Sequence, residues 1–250
     1  MEEQHQVAAV KPMTFIDRIV NIFASPGELY EDVRDTGPTT SNWLVPSIVF
    51  IIISIALSQL LLTNPDLRHQ LTDLTRKAFD TAIQEGNITQ EQADQQMERM
   101  GPGSVFFTIS AFVGPILYTF ARLFFLGLVY WLLGKSAMSS ASPFMKVVEV
   151  VGLTLLISSL EVLVTNIMIF ATGSLTASPS LAMVVPDFDF QNKGHAALAK
   201  VNIFTFWILA VTSIGLSKLF RRDLPKVLVL VVVLWLLFSV VTILTGLRLG

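Results

Sequence analysis

Five apolar blocks, residues 43–63, 105–133, 147–171, 201–219 and 227–247, dominate this chain. A hydrocarbon core about 30 Å thick takes roughly 20 residues of helix at about 1.5 Å of rise each, and every block meets that length. A backbone in lipid must satisfy its own amides, so the blocks must fold as helices. The chain is therefore expected to be all-α: a polytopic membrane protein with five transmembrane helices, an amphipathic N-terminal head and an extramembrane helical hairpin between spans one and two.

Composition agrees with burial in lipid. Hydrophobic residues make up 52% of the chain and charged residues 14%, against about 25% charged in soluble domains. The net charge is −2, and Arg221, Arg222 and Lys226 form the one short basic cluster beside a span, so nucleic acid is not expected as a partner. Cysteine is absent, which removes disulfides, thiolate zinc sites and cysteine nucleophiles. The start, MEEQHQ, lacks a basic n-region and an apolar h-region, so the first span is expected to act as an uncleaved anchor.

Residues 1–42 carry seven acidic and three basic side chains and read as a cytosolic head. From Thr14 onward Phe15, Ile16, Ile19, Ile22 and Phe23 recur at helical spacing, with Asp17, Arg18 and Asn21 opposite. Phe15, Ile19, Ile22 and Phe23 are the expected interfacial docking face of a helix lying on the bilayer. Ser25, Pro26 and Glu28 read as N-cap, N1 and N3 of a second short helix with Leu29 and Val33 as its stripe. In the polar insertion 64–104, Leu67, Leu71, Leu74 and Ala78 mark one helix, Gly86-Asn87 a break, and Thr89 with Gln92 a capping box for another. Gly114-Pro115 is expected to kink the second span. Residues 134–143 and 173–200 read as loops, with VVPDFDF in the second resting on the membrane. FRRDLPK is a tight turn between the last spans of the bundle 105–247.

With the N-terminus inside, nine Lys and Arg fall in the cytosol against seven outside. With the basic turn at 221–226, the count favours a cytosolic N-terminus and an extracytoplasmic C-terminus. Charges inside spans are functional candidates by default. Arg122 and Glu161 lie at similar expected depth and are the candidate intramembrane ion pair, either a lock between helices or part of a relay. Gln59, Asn166 and Asn202 are further polar candidates, and Glu149 is shallow enough to pair with Lys146. His5, His69 and His195 lack metal-ligand spacing, although Asp187, Asp189 and His195 could converge. Neither a catalytic constellation nor a phosphate-binding loop is present, so no enzymatic activity, cofactor or metal is expected.

Three stretches resemble a known family: FASPGELYEDV at 23–33, PILYTFARLFFLGLVYWLLG at 115–134 and NIFTFWILAVTSIGLSKLFRRDLPKVLVLVVVLW at 202–235. They are similar to bacterial members of the Yip domain family, the Ypt/Rab-interacting integral membrane proteins. The resemblance spans roughly residues 14–247 and implies a five-span fold with a cytosolic N-terminus and no catalysis. Eukaryotic relatives bind Rab GTPases, act in vesicle traffic and membrane shaping, and carry an Asp-Leu-Tyr-Gly-Pro-like motif. The nearest text here is LYEDVRDTGP, and Rab binding does not carry over. Some bacterial relatives look like companions of ABC-type exporters. The expected role is thus a non-enzymatic scaffold or accessory subunit of a bacterial inner-membrane complex. Its expected partners are membrane lipids and an integral membrane protein or a second copy. The alternative is a small transporter or channel subunit using Arg122 and Glu161.

Overall fold

The computed structural model describes residues 12–189 and 191–245. His5, Lys11, Phe190, Arg248 and the last two residues of the expected fifth span lie outside them. Ten α-helices form among the described residues, and five of them are long and apolar enough to cross a membrane.

Helices α1 (Phe15–Ala24) and α2 (Pro26–Asp35) make a head hairpin. Thr14 caps α1 through a reciprocal box with Asp17: the Asp17 amide donates to Thr14 Oγ1 at 3.2 Å, and the Thr14 amide donates to the Asp17 carboxylate at 2.9 Å. The expected Ser25 cap does not form, since Ser25 makes no side-chain capping bond. Proline at N1 starts α2 instead, its fixed φ being already helical.

The spans are α3 (Ser41–Thr63), α6 (Val105–Met138), α7 (Phe144–Thr172), α9 (Ile203–Phe220) and α10 (Leu224–Thr245). Their ends depart from the apolar blocks where packing continues beyond hydropathy. Helix α6 runs past the expected stop at Leu133 because Gly134 receives the Phe220 ring: a Cβ there would lie 2.6 Å from Phe220 Cζ. It also runs unbroken through Pro115. Helix α9 begins one residue after Asn202, which is its N-cap and not a residue within the span.

Helix α7 occupies the centre. Every residue from Lys146 to Ser159 is buried, as expected of a helix apolar on all sides and surrounded by protein. Helices α3, α6 and α9 pack around it, α10 packs on α9, and the head hairpin closes the remaining side against α7 and α9. Without a hydrophobic force between helices in lipid, close backbone approach supplies the packing energy. A Cβ at Gly152 of α7 would lie 2.5 Å from the Cα of Trp43 on α3, and one at Gly215 of α9 would lie 2.6 Å from Val150 Cγ1 and 2.9 Å from the Tyr30 ring.

The hairpin is wedged into the bundle as well as lying over it. Ile22 is fully buried in the bundle core, whereas Ile16 and Val20 are 72% and 57% exposed. The exposed apolar face of α1 is thus Ile16, Val20 and Phe23, and Ile22 does not belong to the interfacial face expected of it. Phe15 and Ile19 are half-buried. The Phe23 ring meets the Trp207 ring edge-on at 5.8 Å. Trp207 precedes the end of α9 at Phe220 by thirteen residues, about 20 Å along the helix.

On the opposite side, α4 (Pro65–Gln84) and α5 (Gln90–Met100) form the insertion. Gly86 at φ 73° makes the break, and the Thr89–Gln92 box caps α5. The insertion sits on the far end of α7. Gln70 Nε2 donates to the Gly173 carbonyl at 2.7 Å, the Leu175 amide donates to Gln70 Oε1 at 3.1 Å, and Leu67, Ile169 and Ala177 form a small core beneath. The 173–200 segment folds into a 3₁₀ turn, Leu181–Val184, and α8 (Lys193–Lys200).

The α3–α7 crossing gives a direct test. Gly152→Val should lower stability in detergent by about 1–3 kcal/mol, because backbone of α3 blocks the added atoms. Gly114→Ala on α6, where a Cβ meets nothing within 4 Å, should be neutral or stabilising. Thermal unfolding followed by tryptophan fluorescence separates the two.

Candidate functional site

A cluster of buried and half-buried charges lies where the head meets the bundle. Arg18 leaves α1 toward the protein, not toward water, and is 5% exposed. Its Nε donates to Asp32 Oδ2 at 2.9 Å, its NH2 group lies 2.7 Å from the same oxygen, and its NH1 donates to Asn42 Oδ1 at 3.0 Å. Asp32 also takes the Met13 amide at 2.9 Å, tying the chain ahead of α1 to α2. The sequence pattern places Arg18 on the outer, polar face of α1; its bonds to Asp32, Asn42 and Thr36 draw it inward.

Asn42 passes the connection on. Its Nδ2 donates to Glu149 Oε2 at 2.5 Å. Arginine can only donate and a carboxylate can only accept, so the amide has one orientation that satisfies both neighbours. Glu149, on the first turns of α7, is 0% exposed. Its second oxygen accepts the Thr39 amide at 3.0 Å and lies 3.3 Å from Lys146 Nζ. Lys146 donates to the carbonyls of Val33 at 2.6 Å and Gly37 at 2.9 Å, at and just beyond the end of α2. The Lys146–Glu149 pair is therefore present, but sealed by the head and not exposed at an interface.

Two cations, Arg18 and Lys146, thus face two anions, Asp32 and Glu149, and the cluster is neutral overall. Each member has hydrogen-bond partners beyond its counter-ion, the condition under which buried ions are tolerated. Two further ties hold α2. Tyr30 Oη donates to the Val150 carbonyl at 3.2 Å, and burial raises the phenol far above its ordinary range, which keeps it a donor. Lys218 Nζ donates to Glu31 Oε1 at 2.6 Å, and that bond with its charge holds Glu31 below the ordinary glutamate range. A lowered folded-state pKa adds stability above the unfolded value and loses it as pH falls through the lowered one.

Arg122 and Glu161 are not brought together as an ion pair. They lie at comparable depth, roughly 24 Å and 26 Å along their helices from Met138 and Phe144. Glu161 Oε1 instead accepts from Asn202 Nδ2 at 2.7 Å, and Asn202 Oδ1 caps α9 by accepting the Phe204 amide at 2.8 Å. Glu161 thus sits level with the start of α9, toward the bundle end away from the head. Arg122 makes no hydrogen bond and no ion pair within 4.0 Å among the described residues; its charge acts on Glu161 and, after burial, helps to lower the Lys200 pKa. Asn166 bonds back to Val162 on its own helix, and the buried Gln59 Nε2 has no hydrogen-bond partner among the described residues. The Asp189 amide donates to His195 Nδ1 at 3.0 Å, so that contact is through backbone. Among the described residues no group of three or more His, Cys, Asp or Glu is placed to hold a metal.

Residues 20–245 match the Yip1 domain. The chain belongs to the Yip1 domain family. It is also similar to the membrane protein YknW of Bacillus subtilis, at 25% identity over 224 residues covering 87% of this chain and 83% of that protein. No solved structure matches the chain. The Yip1 region contains Asp32, Asn42, Lys146 and Glu149, while Arg18 lies just ahead of it.

The signal that could have found this junction was a charged residue on α2's inner half, Asp32, beside the apolar stripe of Leu29 and Val33. Glu149→Ala should cost about 3–5 kcal/mol, since it strands Lys146 and leaves Asn42 and the Thr39 amide without an acceptor. Limited proteolysis should then cut the head while the five spans stay inserted. Lys226→Ala, which removes an exposed pair with Asp223, should cost no more than about 1 kcal/mol.

Proposed function

We propose that this Yip1-domain protein is a non-enzymatic scaffold or accessory subunit of a bacterial inner-membrane complex, with an integral membrane partner such as an ABC-type exporter. The observation that carries this reading is the sealed junction of Arg18, Asp32, Asn42, Lys146 and Glu149. It spends two buried ion pairs on holding the head rigidly to α7, and a fixed head suits a protein that presents a surface to a partner. The exposed apolar sides of α6 and α10, including Phe112, Leu117, Val233 and Leu237, are available to lipid or to partner helices. The resemblance to bacterial Yip-family members, some of which look like companions of ABC-type exporters, points the same way.

The transporter reading has weaker support, because the Glu161 carboxylate is engaged by a helix cap and not by Arg122. In this proposal the head and the Arg221–Lys226 turn face the cytosol, and the α4–α5 insertion and the C-terminus face out.

Affinity capture of the tagged full chain from native membranes should recover a defined integral membrane protein, and Glu149→Ala should reduce that recovery with the protein still in the membrane. Glu161→Gln should leave recovery unchanged. Loss of a transport activity on Glu161→Gln with capture intact would instead favour the second reading. Because the chain has no cysteine, single Thr40→Cys and Gln84→Cys variants report topology cleanly. An impermeant thiol reagent should label Gln84→Cys and spare Thr40→Cys in spheroplasts.

A further inference from the structure

A cleft of about 470 Å³ opens between the end of α2 and the α9–α10 turn, lined by Arg34, Lys218, Arg221, Arg222, Asp223 and Leu224 among others. The turn is built to present its two arginines. Ser217 Oγ donates to the Arg222 carbonyl at 2.7 Å, the Arg222 amide returns to the Ser217 carbonyl at 3.1 Å, and Arg221 takes a left-handed φ of 52°. That conformation is uncommon for a residue with a Cβ, and here it closes α9 while leaving the Arg221 side chain exposed.

The surrounding charges are unequally used. Lys218 is bound to Glu31, Arg34 to Asp35 at 2.7 Å, and Lys226 to Asp223 at 3.0 Å. Arg222 donates one bond, from Nε to the Met138 carbonyl at 2.7 Å. The Arg221 guanidinium makes neither a hydrogen bond nor an ion pair within 4.0 Å among the described residues, and acts on Asp35 at longer range. Five cations against three anions leave a surplus of two, contributed by Arg221 and Arg222, on a chain whose net charge is −2. The amino end of α10 at Leu224 adds the positive end of a helix dipole.

Position selects the ligand. The cleft lies at the turn between two helices long and apolar enough to cross a membrane, and a turn that ends two such spans reaches the headgroup region; its wall continues along α10 as Leu224 and Leu228, one helical turn apart and both exposed. We propose that this cleft binds the phosphate of an anionic phospholipid from the leaflet on the head side, with Arg221 and Arg222 as its direct ligands and an acyl chain along Leu224 and Leu228. Arginine suits the task because its fork matches phosphate oxygens. Arg34 and Lys218 keep their own carboxylates and add field rather than contact.

The test is native mass spectrometry of the full chain titrated with phosphatidylglycerol or phosphatidylcholine. Phosphatidylglycerol should bind in preference. Arg221→Asn with Arg222→Gln, chosen because asparagine tolerates the left-handed φ and glutamine retains a donor for Met138, should weaken it about thirtyfold, or roughly fivefold per basic side chain. If the double variant does not fold, Arg221→Asn alone should still weaken binding about fivefold. Arg76→Gln with Lys77→Gln removes the same charge from the insertion and should change nothing. Equal binding of both lipids, or equal losses from the two double variants, would overturn the proposal. Glycerol phosphate binding as tightly as the lipid would also overturn it, assigning the cleft to a soluble phosphate compound.

Discussion

A carboxylate shut away from water must be answered on all sides, and Glu149 is the group to which the rest of this structure answers. Its partners come from the loop after α2, from the first turn of α3 and from α7 itself. None of these elements can satisfy it alone. The head, the first span and the central helix therefore have to assemble together, because any partial arrangement leaves an ion without partners in a nonpolar setting. Hydrophobic packing in lipid would tolerate many helix arrangements of similar energy. The junction singles out one of them, and the close contacts at Gly152 and Gly215 bring the helix backbones near enough for it to form.

The three stretches that resemble Yip-family sequences take on physical meaning in this light. FASPGELYEDV carries Leu29, Tyr30 and Val33 into the bundle and places Asp32 beside Arg18. The stretch at 115–134 holds Gly127 and Gly134, against Val148 and Phe220. The stretch at 202–235 begins with the Asn202 cap, includes Gly215 against Tyr30, and ends past the basic turn. Each is a place where one helix must come unusually near another or where a loop must close a helix.

The spans were readable in the sequence because lipid imposes a length and a composition that few other folds meet. The Thr89–Gln92 cap was readable for a similar reason: it needs only residues within one turn. Readings that depended on which way a side chain points fared differently. Arg18 was assigned to water because an amphipathic pattern separates polar from apolar faces without saying what the polar face meets, and here it meets Asp32 and Asn42. Arg122 and Glu161 stand at similar distances along their helices from the α6–α7 connection, yet rotation about the helix axis leaves no trace in an apolar sequence, and Glu161 turned to Asn202. Asn202 itself stood before an apolar run, the ordinary signature of an N-cap, and was absorbed into the span by hydropathy alone. Glu149 looked shallow because its depth in the helix is small; the lid that buries it is a separate segment more than a hundred residues away.

Helix α7 is anchored at both extremities by polar bonds to different parts of the chain. Lys146 and Glu149 hold one end to the head, while Gln70 reaches from the insertion to Gly173 and Leu175 just past the other. Twenty-nine residues of unbroken helix lie between, a rod of about 43 Å. The head and the insertion, at opposite ends of α7, are thereby both tied to one unbroken helix.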